Sequence, residues 1–152
     1  MNPTSGEQPL RVALFLDAEN LHAQATKAGL PFSSKLITSR ARAEGNLIYA
    51  RAYADWSQPW LRNCMNQIQL DGMQLEQLCG SIRGKNSADM QMAMDALEMC
   101  LSPAAPDVVV LASGDRDFVP LAHKLRHRSI RLVGLGIEGS GANLCGPFAT
   151  NM

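Results

Sequence analysis

Apolar residues run almost without a break over Arg11–Leu16 (RVALFL) and Asp107–Ala112 (DVVVLA), with none of the alternation expected of a strand that has one wet face. A short strand that is apolar at nearly every position is covered on both sides, as the middle strands of a parallel sheet are. Elsewhere the spacing becomes helical. It predicts helices over Asn20–Ala28 and Ser33–Glu44, separated by Gly29-Leu30-Pro31 and stopped at Gly45. A strand at Leu47–Ala54 precedes a helix that starts at Ser57 or Pro59 and runs to Leu70, where Asp71-Gly72 breaks it; Met73–Leu78 reads as a third strand. Ser87–Leu101 is the clearest helix, closed by Pro103 and Pro106, and the helix Phe118–Arg128 leads into a strand at Ile130–Leu135. The Gly-rich stretch Gly134–Gly146 reads as a loop and a final helix turn.

Strands that alternate with helices imply parallel neighbours joined by right-handed crossovers, hence a doubly wound α/β sheet. With 152 residues, one core is expected, so we read residues 1–9 as a flexible N-terminus and 10–152 as a single domain. Fourteen basic and fourteen acidic residues cancel, so any contact with nucleic acid must be local rather than the work of a globally basic surface. Cys64, Cys79, Cys100 and Cys145 are far apart and form no C-x-x-C pair, which points to free thiols in a reducing cytosol rather than to zinc or disulfides. Nor does any apolar run approach the roughly 18 residues of a membrane helix, and the N-terminus lacks a basic start with an apolar stretch. The expectation is a cytoplasmic protein without membrane contact.

Candidate chemistry sits where the two apolar runs end. Asp17-Ala18-Glu19-Asn20 follows the first, and Ser113-Gly114-Asp115-Arg116-Asp117 follows the second. In open α/β sheets ligands bind beyond the carboxyl ends of the strands, so both acidic motifs fall at the binding edge. A third acid, Asp89, lies in the first turn of the helix Ser87–Leu101, after the basic residues Arg83 and Lys85. Two like charges ~4 Å apart repel by about 4 kcal/mol at an effective dielectric near 20, so converging carboxylates need a cation. Hard divalent ions with oxygen ligands, Mg²⁺ or Mn²⁺, suit such a set and can activate water against a phosphodiester. Each acid also has a plainer reading, since Asp17, Asp115 and Asp117 could simply cap the helices that follow.

Together, FLDAEN (Phe15–Asn20), KNSADMQMAMDAL (Lys85–Leu97) and SGDRDF (Ser113–Phe118) resemble the NYN domains of the PIN-like nuclease superfamily, in particular the LabA-like bacterial branch. The resemblance covers about Val12 to Leu135. It implies a three-layer α/β/α PIN-like, Rossmann-like domain with a central, mainly parallel sheet of about five strands, and metal-dependent endonucleolytic cleavage of RNA. Carried over by position, it gives Asp17, Asp89 and Asp115 as metal-holding carboxylates, and Asp117 as a fourth ligand or an orienter of water. Asn20 would fix a carboxylate or touch phosphate, and Ser113 would bond a ligand carboxylate. Asp95 also matches a family acid, but six helical residues from Asp89 put it ~120° around the helix, so it is kept out of the ligand set. The segment GANLCGPFAT resembles the family's closing helix poorly.

Several further features bear on RNA. Lys85, Arg83 and Arg116 could touch phosphate, Arg116 alternatively pairing with a carboxylate. The segment His123–Arg131 carries four cations and two histidines with no acid, enough to contact several phosphates if they share a face, and a solvated helix face explains it nearly as well. Trp56 and Trp60 lie in a loop-to-helix segment that could offer bases, of single-stranded RNA in particular, a stacking surface. An exposed Met-rich or C-terminal surface could support a homodimer. Two other functions compete: a non-catalytic RNA-binding or regulatory module, and a haloacid-dehalogenase-like phosphatase with Asp17 as nucleophile. The phosphatase would need an acid two residues on, where Glu19 stands, and no Thr or Ser motif follows.

Overall fold

The structure, a computed structural model, describes residues 7–78, 87–114, 118–137 and 144–148. The expected flexible N-terminus lies outside the described residues over 1–6; residues 7–10 are exposed and irregular. Six strands form one sheet: β1 (Arg11–Asp17), β2 (Asn46–Ala54), β3 (Gln74–Gln77), β4 (Val108–Ala112), β5 (Arg131–Ile137) and β6 (Leu144–Phe148), in the order β3-β2-β1-β4-β5-β6. All pairs are parallel except β5 with β6. Five helices connect them among the described residues: α1 (Ala18–Lys27) and α2 (Ser34–Arg42) between β1 and β2, α3 (Arg62–Leu70) before β3, α4 (Ser87–Cys100) before β4, and α5 (Val119–Arg126) before β5. This is the expected three-layer arrangement, with a mainly parallel sheet.

The two unbroken apolar runs are the two central strands. From β1 the chain steps outward to β2 and β3, then returns to lay β4 on the other side of β1. Because crossovers keep one hand, that reversal of direction moves the helices to the opposite face. Leu21, Ile37, Ala41, Cys64 and Ile68 from α1, α2 and α3 therefore pack on Val12, Leu14, Leu16, Val108 and Val110. Met92, Ala96, Cys100, Leu121 and Leu125 from α4 and α5 pack on Ala13, Phe15, Tyr53, Val109 and Leu111. Alternate residues of each central strand thus serve opposite cores, so neither strand can afford a polar position.

Local chemistry sets the boundaries. Asp17 and Ser33 cap α1 and α2, accepting from the backbone N–H of Asn20 and Leu36, each at 3.2 Å. Gly45 stops the chain after α2 because Asn46 N–H bonds Leu10 O at 2.7 Å, so close that a Cβ at residue 45 would lie 2.3 Å from that oxygen. At the start of the sheet Arg11 N–H donates to Asp107 Oδ2 at 2.8 Å, and Arg131 N–H to Asp107 O at 3.1 Å, aligning β1, β4 and β5.

The final helix turn expected in the Gly-rich stretch is corrected within the described residues. Leu144–Phe148 is instead the antiparallel strand β6, paired Gly136↔Cys145 and Ile137↔Leu144. Gly146-Pro147 suits a helix badly, and proline is tolerated in an edge strand. β6 also covers the outer side of β5, which would otherwise be left unpaired.

The packing assigns very different weights to neighbours on α3. Ile68 is fully buried whereas Leu70 is 80% exposed. In urea unfolding, Ile68→Ala should lose about 2–5 kcal/mol and Leu70→Ala stay within about 0.5 kcal/mol of the parent.

Candidate active site

β1 and β4 are neighbours from which the chain winds away in opposite directions, so their carboxyl ends flank the crevice of the sheet. Asp17 closes β1 at that edge and is 6% exposed. It is a helix cap, as its plainer reading held, but a carboxylate has about four lone-pair sites and can hold a cation as well. Beside it, Ser113 is buried and its N–H donates to Leu135 O at 2.9 Å, carrying the β4–β5 ladder one residue past β4.

Asn20 ties the two acidic motifs together. Its backbone N–H bonds Asp17 Oδ1, and its side-chain Oδ1 accepts from Gly114 N–H at 2.6 Å. The residue expected to fix a carboxylate or touch phosphate thus clamps the backbone immediately before Asp115. Gln24, one helical turn beyond Asn20, lies against the same glycine: a Cβ at position 114 would come within 1.6 Å of its Nε2. Gly114 therefore answers to close packing by α1.

On the opposite face α4 runs back from this edge. Asp89, Met92 and Ala96 stand at i, i+3 and i+7, one stripe of the helix, and the last two are fully buried against the sheet. Asp89 extends that stripe into the first turn, half-buried at the carboxyl end of the strands. Ala13 and Phe15 face α4, and strand alternation gives Asp17 the same side. Asp17 and Asp89, distant in sequence, are thus brought to one face and one edge.

Asp95 stands in a layer beneath. Its Oδ2 accepts from Tyr53 Oη at 2.6 Å and its Oδ1 from Gln91 Nε2 at 3.3 Å. Tyr53 is the register partner of Asp17 on β2, so this bond fixes α4 to the sheet next to the acid. Tyr53 was not legible from the sequence, since nothing distinguishes it from a core aromatic of β2. Burial, and then the bond to Asp95, push its hydroxyl far above the usual tyrosine range; burial also raises Tyr49, opposed by Arg51, whose guanidinium carbon lies 4.9 Å from the ring centroid.

At the rim, Glu19 Oε2 accepts from Asp55 N–H at 2.9 Å. The Asp55 carboxylate accepts from Ser57 Oγ at 2.6 Å, Ser57 N–H at 3.1 Å and Gln77 Nε2 at 2.9 Å, bonds that hold it at about 2. Asp55 is a turn-forming acid, and Asp-x-Ser was the available signal. Arg83, Lys85, Asp115, Arg116 and Asp117 lie outside the described residues. Among the described residues no group of three or more His, Cys, Asp or Glu could hold a metal ion. The basic segment His123–Arg131 spans the end of α5 and the start of β5, the edge opposite Asp17, and there Arg131 pairs with Glu44. It is therefore set apart from the acids.

Both tyrosines have folded-state values above the 10.0 of an exposed phenol, so the unfolded chain loses these protons first. The associated stability is complete below about pH 10 and is lost as pH rises beyond it. An ultraviolet titration should show the Tyr53 tyrosinate appearing only together with unfolding, and Tyr53→Phe should weaken that alkaline dependence.

The comparisons with known proteins agree with this architecture. A protein of unknown function from Vibrio parahaemolyticus, seen in a crystal structure, is similar in fold, with a TM-score of 0.73 at 23% identity over 91% of this chain and 88% of that one. No curated protein matches the chain. Among the described residues no helix is long and apolar enough to cross a membrane. The family description "NYN domain" matches residues 11–146, nearly the whole length over which β1 to β6 are laid down. The chain belongs to the NYN domain family, within the PIN-like nuclease superfamily.

Proposed function

We propose that this protein is a divalent-metal-dependent endoribonuclease that hydrolyses RNA phosphodiester bonds at the carboxyl edge of β1 and β4. The observation that carries the reading is the convergence of Asp17 and Asp89, 72 positions apart (89 − 17), on one face and at one end of the sheet. β4 lies directly beside β1, and Gly114, two residues past its end and the last described residue before Asp115, donates its N–H to Asn20.

The donor set fits Mg²⁺ or Mn²⁺: Asp17, Asp89, Asp115 and Asp117 offer only hard carboxylate oxygens. Such an ion, when bound, would activate water and offset the charge that develops on the phosphodiester. The chain's own residues position the acids. Asn20 holds Asp17 and Gly114 at a fixed spacing, Ser113 anchors the strand end, and the Tyr53–Asp95 bond holds α4, and hence Asp89, against the sheet. Arg83, Lys85 and Arg116 are the cations nearest the acids in sequence and are assigned to RNA phosphate. The phosphatase reading is disfavoured, because Glu19 accepts from Asp55 N–H instead of standing ready as an acid for Asp17. We read 10–152 as one such domain. The buried free thiols Cys64 and Cys100 suit a reducing cytosol.

Asp17→Asn keeps a side chain that caps as well as Asp while removing the charge. It should fold with a melting temperature close to the parent's, and so should Asp115→Asn. Both should lose roughly a hundredfold or more of Mn²⁺-dependent cleavage of labelled RNA, as should the parent in EDTA. Undiminished cleavage by Asp115→Asn would overturn the assigned metal site, and absence of Mn²⁺-dependent cleavage by the parent would leave an RNA-binding module as the better reading.

A further inference from the structure

We propose that Trp60 and His22 form a stacking platform that holds an unpaired nucleobase of the RNA beside the acidic edge, a deepening of the nuclease reading above. Trp60 sits in the 3₁₀ turn Pro59–Leu61 that follows β2, and it is 47% exposed. Large aromatic side chains are usually far more buried than that. It does not stand alone: its ring centroid is 4.9 Å from that of His22 on α1, and His22 is 5.7 Å from Phe32, both in tilted contact. The three rings make a surface whose underside is supported, since Phe32 packs against the core beneath α1 and α2.

The nearby tryptophan does something different. Trp56 donates from Nε1 to Glu76 O at 2.9 Å, donates its backbone N–H to Gln77, and packs against the core. Of the two tryptophans that the sequence offered, only Trp60 presents a face to a ligand.

Place and charge name the ligand. His22 lies five residues beyond the capping Asp17, roughly 7.5 Å along the α1 axis and about 140° around it, on the face of the sheet opposite α4. Trp60 follows the carboxyl end of β2, the edge at which Asp17 stands, so a strand whose phosphate meets the acids would cross that edge to lay a nearby base on the platform. Arg62, two residues after Trp60 and exposed, supplies a positive charge, while Glu19 is engaged by Asp55 N–H and the Asp55 carboxylate by Ser57 and Gln77. Every base has a π-face, so a bare aromatic surface beside a cation suits single-stranded nucleic acid without regard to sequence.

The test measures anisotropy of a fluorescein-labelled single-stranded RNA in EDTA, where nothing is cut, alongside cleavage in Mn²⁺. Trp60→Ala should weaken binding about tenfold, while Trp60→Phe stays within about threefold of the parent. Trp60→Leu, which keeps apolar bulk but not the ring, should behave as Trp60→Ala and guards against a folding defect. The salt dependence of binding should keep its slope in all three, because no phosphate contact is removed. Equal affinity of Trp60→Leu and the parent, or absence of RNA binding by the parent, overturns the platform whatever cleavage shows. A change from dimer to monomer in Trp60→Leu with RNA affinity intact would also overturn it and make the surface a protein contact. Loss of parental cleavage with the tenfold effect preserved supports the platform and counts only against the nuclease.

Discussion

A single asparagine joins two ends of the chain's chemistry, one through its backbone and the other through its side chain. The bond from Gly114 N–H to Asn20 Oδ1 spans 94 positions of sequence, and Asn20 N–H bonds Asp17. The strand after which Asp115 follows and the strand that ends in Asp17 are thereby held in a common frame. The bond is short and half-buried, and its backbone donor sits at the strand end next to the buried Ser113, where leaving it unmade would cost part of that group's desolvation. The fold supplies the partner for that N–H and the alignment of the acids with one interaction.

The same edge is braced from the other face. Tyr53, beside Asp17 in register, reaches across to Asp95 on α4, and the stripe of α4 that contains Met92 and Ala96 carries Asp89 toward the crevice. Asp89 and Asp95 divide the work: one reaches the edge, the other fixes the helix that presents it. Substitutions at Asp95 or Tyr53 therefore act on the placement of α4. Membership of the NYN family accords with such an edge, and the Vibrio protein shares its fold.

Asymmetry between the two edges separates roles by position. At the amino edge, Asp107 binds the starts of β1 and β5 and Arg131 pairs with Glu44, interactions that hold the sheet together. At the carboxyl edge stand Asp17, Asp89, Glu19, Asp55 and the exposed ring of Trp60. The basic segment at the end of α5 belongs to the first edge. It is distant from the acids because a parallel strand that begins there must end on the other side of the molecule.

The sequence by itself determined the parallel sheet, its two central strands and the acids at their ends, because strands buried on both faces must be apolar throughout and the first polar residue after them falls at the ligand edge. It also determined the helix boundaries at Ser33, Gly45 and Asp71-Gly72, where caps and turns are local chemistry. Tertiary structure alone decided the strand order, the antiparallel β6, the clamp of Asn20 on Gly114 and the bond of Tyr53 to Asp95. Apart from β6, which pairs with the strand just before it, each of these joins residues far apart in the chain, and local propensity has no term for a partner 42 or 94 positions away. It decided, too, that Trp56 is anchored and Trp60 presented, a difference of burial that two tryptophans four residues apart do not reveal in one dimension.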